Sequence, residues 1–338
     1  MAEHRRHGAA SKAPLITSEA LETLTPEWAA LHASVPGATV FTHPAWAATW
    51  LKHFGRSLSP VFLSIRQEEQ LIGVASLEIE RVLARQLGDH NVTDYSGVLA
   101  LPGHEDEVAA GIIEWLLEDL TPALEIWGVP GGSPMRSAFA TGASGFGWSF
   151  EELPEAICPV LALPADFESY LAGLPKHDRH ELRRKLRNFS GAGVAAFESA
   201  TTQADVEAGF DRFLELMRIS RDDKDEFLTP EMEAFFRDIA GTFAALGMAR
   251  LSTLSLDGIP AAMLFIFENE VGTYLYNSGY DPRFAPLAAG LLSKVYAIQD
   301  SIARGKQTYD FLRGDEEYKH HLGGQSTQVL TLRMSSRG

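Results

Sequence analysis

The sequence predicts an α/β fold of the α+β kind, made of two halves that repeat one order of elements. Three observations carry this reading. Apolar stripes at helical spacing alternate with short runs of β-branched and aromatic residues along the chain. In each half the order is helix, hairpin, strand, helix, strand, without residue identity between the halves. The 338 residues, 45% of them hydrophobic, are enough for two domains with a sizeable core.

The first half opens with a helical pattern over 19–54. Pro44 starts a helix well, and Trp46, Trp50, Leu51 and Phe54 share one face of it. Residues 60–65 and 70–82 read as a hairpin around the polar turn Gln67-Glu68-Glu69. A polar loop over 88–97, holding Asp94 and Tyr95, leads into a strand at 98–101. An amphipathic helix is expected at 105–117 and a strand at 123–129. A turn at 131–134 enters a helix, and strands follow at 148–153 and 159–163.

The second half repeats the order. Val206, Phe210, Phe213, Leu214 and Met217 mark the inner face of a helix over 205–220, and Thr229-Pro230 opens another. A hairpin over 249–268 turns at Asp257-Gly258, and a strand follows at 271–278. Leu287, Leu291, Val295, Ile298 and Ile302 form a helical stripe that Gly305 ends. A last strand is expected at 327–334.

Between the halves, 175–188 is a basic helix in an acidic protein: six Lys/Arg against two acids, with Leu182 and Leu186 as anchors. It reads either as a solvated linker or as a clamp for an anionic ligand, since guanidinium groups grip phosphate bidentately. The expected division is a disordered tail at 1–14, an N-terminal half at 15–164, the basic connecting helix at 165–190 and a C-terminal half at 191–338.

The stretch 309–324 is the most informative. Asp310 falls within a strand expected at 307–312, and a buried carboxylate is costly unless paired; Arg313 is its nearest partner in sequence. Gly314 permits a turn, and Asp315 is placed to cap a short helix and to pair with Lys319 four residues on. Tyr318 sits one turn in, and Gly323 is a natural stop. Taken alone, Asp315 is a cap, Lys319 a surface partner and Tyr318 a core ring. Asp310 and Arg313 lie at a strand end, where α/β proteins build their sites.

A net charge of −16 argues against general nucleic-acid binding. Cys158 is the only cysteine and lies in an apolar stretch, so no internal disulfide forms, the thiol reads as structural, and cytoplasmic residence is expected. No apolar run reaches membrane-spanning length. His320 and His321 are adjacent and face different sides of a helix, so no metal site is expected.

Several runs together resemble the CelD/BcsL family, GNAT-type acyltransferases associated with cellulose biosynthesis. They are Tyr276-Asn277-Ser278-Gly279-Tyr280-Asp281-Pro282, the helix 290–305, and Asp310-Phe311-Leu312-Arg313-Gly314-Asp315-Glu316-Glu317-Tyr318-Lys319. Phe41-Thr42-His43-Pro44-Ala45-Trp46, Asp94-Tyr95 and the basic helix fit as well, so the resemblance spans about 20–335. The chain is also similar to the Fem aminoacyl transferases, whose aromatic-Lys-x-x-aromatic-Gly stretch corresponds to 318–323, with Leu322 in place of the second aromatic.

The resemblance implies two tandem GNAT-like halves, each a mixed, largely antiparallel sheet flanked by helices. It implies an acyl-CoA co-substrate, acetyl-CoA in the simplest case, and no metal. Arg283, Ala288, Ala289 and Gly290 match the donor-phosphate turn, although the usual first glycine of that signature is missing. Tyr318 matches the tyrosine that protonates the leaving thiolate, Lys319 the Fem-type lysine, and Asp310 or Asp94 is the implied base. Asp94, Tyr95, Arg179, Arg183, Arg184, Tyr280, Arg313 and Asp315 are the implied substrate contacts. The implied acceptor is an amine or hydroxyl of a small molecule or envelope precursor. A non-catalytic scaffold and an aminoacyl-tRNA-dependent transferase remain open beside it.

Overall fold

A computed structural model describes residues 14–336. Of the expected tail at 1–14, all but Pro14 lies outside the described residues. The strands are β1 (Leu15–Glu19), β2 (Pro60–Gln67), β3 (Gln70–Glu80), β4 (Leu83–Gln86), β5 (Leu99–Ala100), β6 (Ala123–Pro130), β7 (Trp148–Ala162), β8 (Ala195–Ala200), β9 (Ala249–Leu256), β10 (Ile259–Glu268), β11 (Gly272–Tyr280), β12 (Thr308–Asp310) and β13 (Gln325–Ser336). The helices are α1 (Leu21–Ser34), α2 (Pro44–Phe54), α3 (Glu105–Glu118), α4 (Pro134–Gly145), α5 (Phe167–Gly173), α6 (Lys176–Gly191), α7 (Gln203–Ser220), α8 (Asp222–Phe227), α9 (Pro230–Ala245), α10 (Ala289–Ala303) and α11 (Glu317–His321).

The hairpins join into one mixed sheet in the order β1-β2-β3-β4-β6-β13-β7-β12-β11-β10-β9-β8, with β5 pairing β3. Each half runs antiparallel up to one parallel step, β4 beside β6 and β11 beside β12. The helices α3 and α10 make those crossovers. The last strand of each half is exchanged: β13 pairs with β6, and β7 pairs with β12. The exchanged strands pair with each other from Gln325↔Val160 to Ser336↔Trp148. Strand pairing therefore crosses the proposed division at 164.

One sequence expectation is corrected here. The separate strands expected at 148–153 and 159–163 are one strand, because β13 pairs along its whole length with only a bulge at Val329/Leu330. The helical pattern expected over 19–54 resolves into α1 and α2, with a short 3-10 turn at Val40–Thr42 before α2; β1 ends at Glu19, where that pattern begins. The aromatic side chains of that stretch, Trp28, Phe41 and Trp46, enter the same core as Phe235, Phe243 and Phe267 of the second half. That shared core welds the halves on one face. On the other, Ile112, Phe139 and Trp148 cluster with Leu330, Leu332 and Met334 of the exchanged β13, and Leu264, Ile298 and Tyr309 cluster with Leu161 of the exchanged β7. No helix of the described residues is long and apolar enough to cross a membrane.

Candidate active site

The strands β11 and β12 pair only at Gly272↔Thr308, Thr273↔Tyr309 and Tyr274↔Asp310. β12 then ends while β11 runs on to Tyr280. From Leu275 onward β11 has no strand on that side, and the sheet parts. A cavity of about 390 Å³ lies in the gap, lined by Ser278 and Tyr280 of β11, Gly290 and Lys294 of α10, and Glu316 and Tyr318 at the start of α11. Arg221 and Lys224, at the end of α7 and in α8, close it from above.

Local sequence explains the floor. Asp281 accepts a hydrogen bond from the Arg283 backbone N–H (3.0 Å) and caps the 3-10 turn at Pro282–Leu287. Ala288 then takes a left-handed conformation, φ 58°, to start α10. Gly290 lies flat on the Tyr280 ring, where an added Cβ would come within 2.9 Å of a ring carbon. The N-terminus of α10, with its free N–H groups and positive dipole end, thus faces the gap.

Of the expected donor residues, Ala288 and Gly290 line the cavity. Ala289 is buried beneath it, and Arg283 is turned aside onto Asp281 (2.6 Å). Lys294 is 7% exposed and donates to Ser278 Oγ (3.1 Å) and the Gly290 carbonyl (2.8 Å). Its ammonium lies 5.6 Å from the Tyr318 ring centroid. Burial, with Lys224 and Lys319 adding repulsion, pushes its pKa down to about 7. Lys224 donates to Asn277 Oδ1 (3.0 Å) and to the Ser278 carbonyl. Burial and Arg221 push it down to about 8. Burial, with Glu316 nearby, pushes the Tyr318 phenol well up, so it stays protonated and able to donate.

The remaining expected residues form a buried network behind this wall. Lys319 is 2% exposed, and its ammonium donates to the carbonyls of Leu312 (3.1 Å), Arg313 (3.0 Å) and Gly314 (3.0 Å) while pairing with Glu316 (2.9 Å). This corrects the expected surface pair with Asp315. The turn at Gly314, φ 118°, wraps the chain round the ammonium, and Asp315 pairs with His320 instead (2.7 Å). The cap position of α11 falls on Glu316, which makes no side-chain cap.

The expected Asp310–Arg313 pair is also corrected. Arg313 pairs with Glu155 (2.8 Å) and donates to the Asp94 carbonyl (3.0 Å). Asp310 accepts from the Tyr95 hydroxyl and the Leu312 N–H, both at 2.8 Å. Burial pushes Asp310 up to about 7 and Asp94 up to about 6. Cys158 is fully buried beside them, its thiol pushed up to about 12 chiefly by burial.

The arginines of α6 do not line this cavity. Arg179 donates to the Ala172 carbonyl (2.9 Å), Arg183 pairs with Glu168 (2.8 Å) and Arg184 with Glu181 (2.7 Å). The inward face of α6 instead presents Leu182 to a second cavity of about 280 Å³, shared with Leu291, Tyr318 and Leu322. Among the described residues, no group of three His, Cys, Asp or Glu side chains is arranged to hold a metal ion.

Sequence reasoning passed over Lys224, Lys294 and Arg221, and gave Glu316 no role. Lys294 had a signal: it falls three residues after Leu291 and one before Val295, on the apolar stripe of α10. Lys224, inside the charged run Asp222–Phe227, had none.

Residues 176–320 match the acetyltransferase (GNAT) domain model. The chain carries a GNAT-type domain. No curated protein matches its sequence. Among solved structures, FemX superposes with a TM-score of 0.69 at 14% identity, covering 94% of this chain and 96% of FemX. The C-terminal domain (DUF2156) of an Agrobacterium fabrum protein titled a lysylphosphatidylglycerol synthetase gives 0.57 at 8% identity, over 94% and 93%. A tandem GNAT protein from the clavulanic acid biosynthesis pathway gives 0.50 at 12%, over 96% and 99%. At these identities the likeness is one of fold, and the fold is that of tandem GNAT halves.

Proposed function

We propose that the protein transfers an acyl group from acyl-CoA to an amine or hydroxyl of a small-molecule or envelope-precursor acceptor, by direct attack. The observation that carries this reading is the open gap between β11 and β12, with a helix N-terminus on one wall and Tyr318 on the other. Such a gap accepts an extended pantetheine arm, with its thioester near Tyr318. The acceptor nitrogen attacks the carbonyl, the C–N bond forms, and the C–S bond breaks. Tyr318, kept protonated by burial, gives its proton to the departing thiolate. Glu316, the one carboxylate lining the cavity among the described residues, receives the proton the amine sheds. Lys319 is a positioning residue that holds Glu316 and the loop before it. Asp310, Asp94, Tyr95 and Arg313 hold that loop against the first half.

The motif resemblance to the CelD/BcsL family supports the same reaction class. An aminoacyl-tRNA donor is the weaker reading, because the net charge is −16 and Arg183 and Arg184 are already paired with carboxylates.

The test is release of free thiol from acetyl-CoA and longer acyl-CoAs in the presence of a panel of amines. The expected result is turnover that falls by about 10²-fold or more in Tyr318→Phe and Glu316→Gln. Absence of acyl-CoA binding in calorimetry, at any chain length, would overturn the reading.

A further inference from the structure

Two lysines face the open cavity without a counter-charge. Among the described residues, Lys224 and Lys294 each hydrogen-bond only to neutral oxygens, and no carboxylate lies within ion-pair distance, 4.0 Å, of either. Both reach the same residue, Lys294 to the Ser278 hydroxyl and Lys224 to its carbonyl, so the two ammonium groups stand close together. The groups that face them do not supply the missing charge. Around Lys294 stand Lys224, Lys319, Glu316 and the Tyr318 ring, and Glu316 is taken by Lys319. Around Lys224 stand Arg221, Asp223 and Glu316, and Asp223 is taken by Arg221 (2.7 Å).

Buried charges are ordinarily paired, and two neighbouring cations without an anion are costly. The N-terminus of α10 adds a third source of positive potential to the same wall, with no acidic residue in its first turn.

We infer that Lys224 and Lys294 form an anion site, and that a phosphate or carboxylate group of a substrate completes it. The inference deepens the acyltransferase reading, since it names the charge of what enters the cavity. Two substrates can bring that charge: the acceptor through a carboxylate, which fits a thioester held at Tyr318 beside Lys294, or the donor through its diphosphate, which would place the far end of the pantetheine arm, and the thioester with it, away from Tyr318. Filling the site restores both ammonium charges, so anion binding is coupled to proton uptake.

The experiment is calorimetric titration with inorganic pyrophosphate and, separately, with succinate. It is run at pH 8 in two buffers of different ionisation enthalpy, on the intact protein and on Lys294→Met and Lys224→Met. Neither arm needs turnover, so failure of the acyltransferase reading leaves it interpretable. The expected result is binding of at least one anion with proton uptake, weakened tenfold or more in both variants. Uptake with pyrophosphate alone assigns the site to the donor, and uptake with succinate alone assigns it to the acceptor. If neither anion binds the intact protein more tightly than the variants, or binding moves no protons, the inference is overturned. Two variants are used so that a folding failure of one, read by circular dichroism, leaves the other to decide.

Discussion

The two halves share one strand plan and use the gap in it differently. In the second half, β11 and β12 pair at three positions and then part around a cavity of about 390 Å³. In the first, β4 and β6 also pair at three positions, Leu83↔Ala123 to Arg85↔Glu125. There the chain itself fills the gap. The Trp127 indole donates to the Gln86 carbonyl (2.8 Å), and the Ser96 N–H donates to the Gly128 carbonyl (2.8 Å). The cavity left beside that loop is about 20 Å³, room for about one water. The helix N-termini differ in the same sense. Glu105, Asp106 and Glu107 crowd the first turn of α3, while the first turn of α10 carries no acid. One gap is built as core, and its loop carries Asp94 and Tyr95 to the centre of the molecule. The other is left open, and the anion site inferred above lies in it.

The difference can be broken at its extremes. In the filled gap, Trp127→Ala removes a buried ring from close packing and is expected to destabilise by about 3–5 kcal/mol in chemical denaturation. The same change should leave pyrophosphate binding within twofold of the intact protein. In the open half, Lys319→Ala strips the buried donor from the carbonyls of Leu312, Arg313 and Gly314, at a cost of about 1–3 kcal/mol, with half-exposed Glu316 left to solvent. Preserved stability in Lys319→Ala would show that the loop does not depend on this lysine.

Lys294→Met sharpens the contrast, because the expected change in stability is a gain. Removing an uncompensated buried cation should raise the stability of the ligand-free protein by on the order of 1–4 kcal/mol near pH 7. The pH dependence has a definite sign. The folded pKa of Lys294 is about 7 against an ordinary 10.5, so between these values the unfolded chain binds more protons and wild-type stability rises with pH. The advantage of Lys294→Met is therefore largest at and below pH 7 and shrinks towards pH 10. Asp310 contributes in the opposite direction. Its folded pKa of about 7 against an ordinary 3.8 means that stability falls as pH rises through that window, and Asp310→Asn should flatten the fall. Denaturant melts of the two variants across pH 4–10 separate these contributions.

The smallest effect is expected at Ala288. Its φ of 58° suits glycine better, yet glycine loses more entropy on folding, so Ala288→Gly should change stability by less than about 1 kcal/mol. Any gain in pyrophosphate affinity would come from closer approach of the backbone to the anion.

Much of the architecture was legible from residues close in sequence. The hairpin at Asp257-Gly258, the apolar stripe of α10 and the repeated order of elements all depend on local spacing and turn chemistry. The value of the 309–324 stretch was legible too, but its wiring was not. Asp310 found Tyr95, 215 positions away, and Arg313 found Glu155, 158 positions away, in preference to each other. A sequence shows which polar groups need partners, and adjacency is a poor guide to which ones they find once strands have crossed.

By itself the sequence determined the α/β class, the tandem plan and the stretch that builds one wall of the site, because hydrophobic period and turn residues act over a few positions. Only the tertiary structure decided that β7 and β13 exchange partners, that the first gap closes while the second stays open, and that Lys224 and Lys294 meet at Ser278 without an acid. These outcomes depend on which distant surfaces exclude water from one another. Such burial, more than residue type, sets whether a lysine is a solvated charge or half of a binding site.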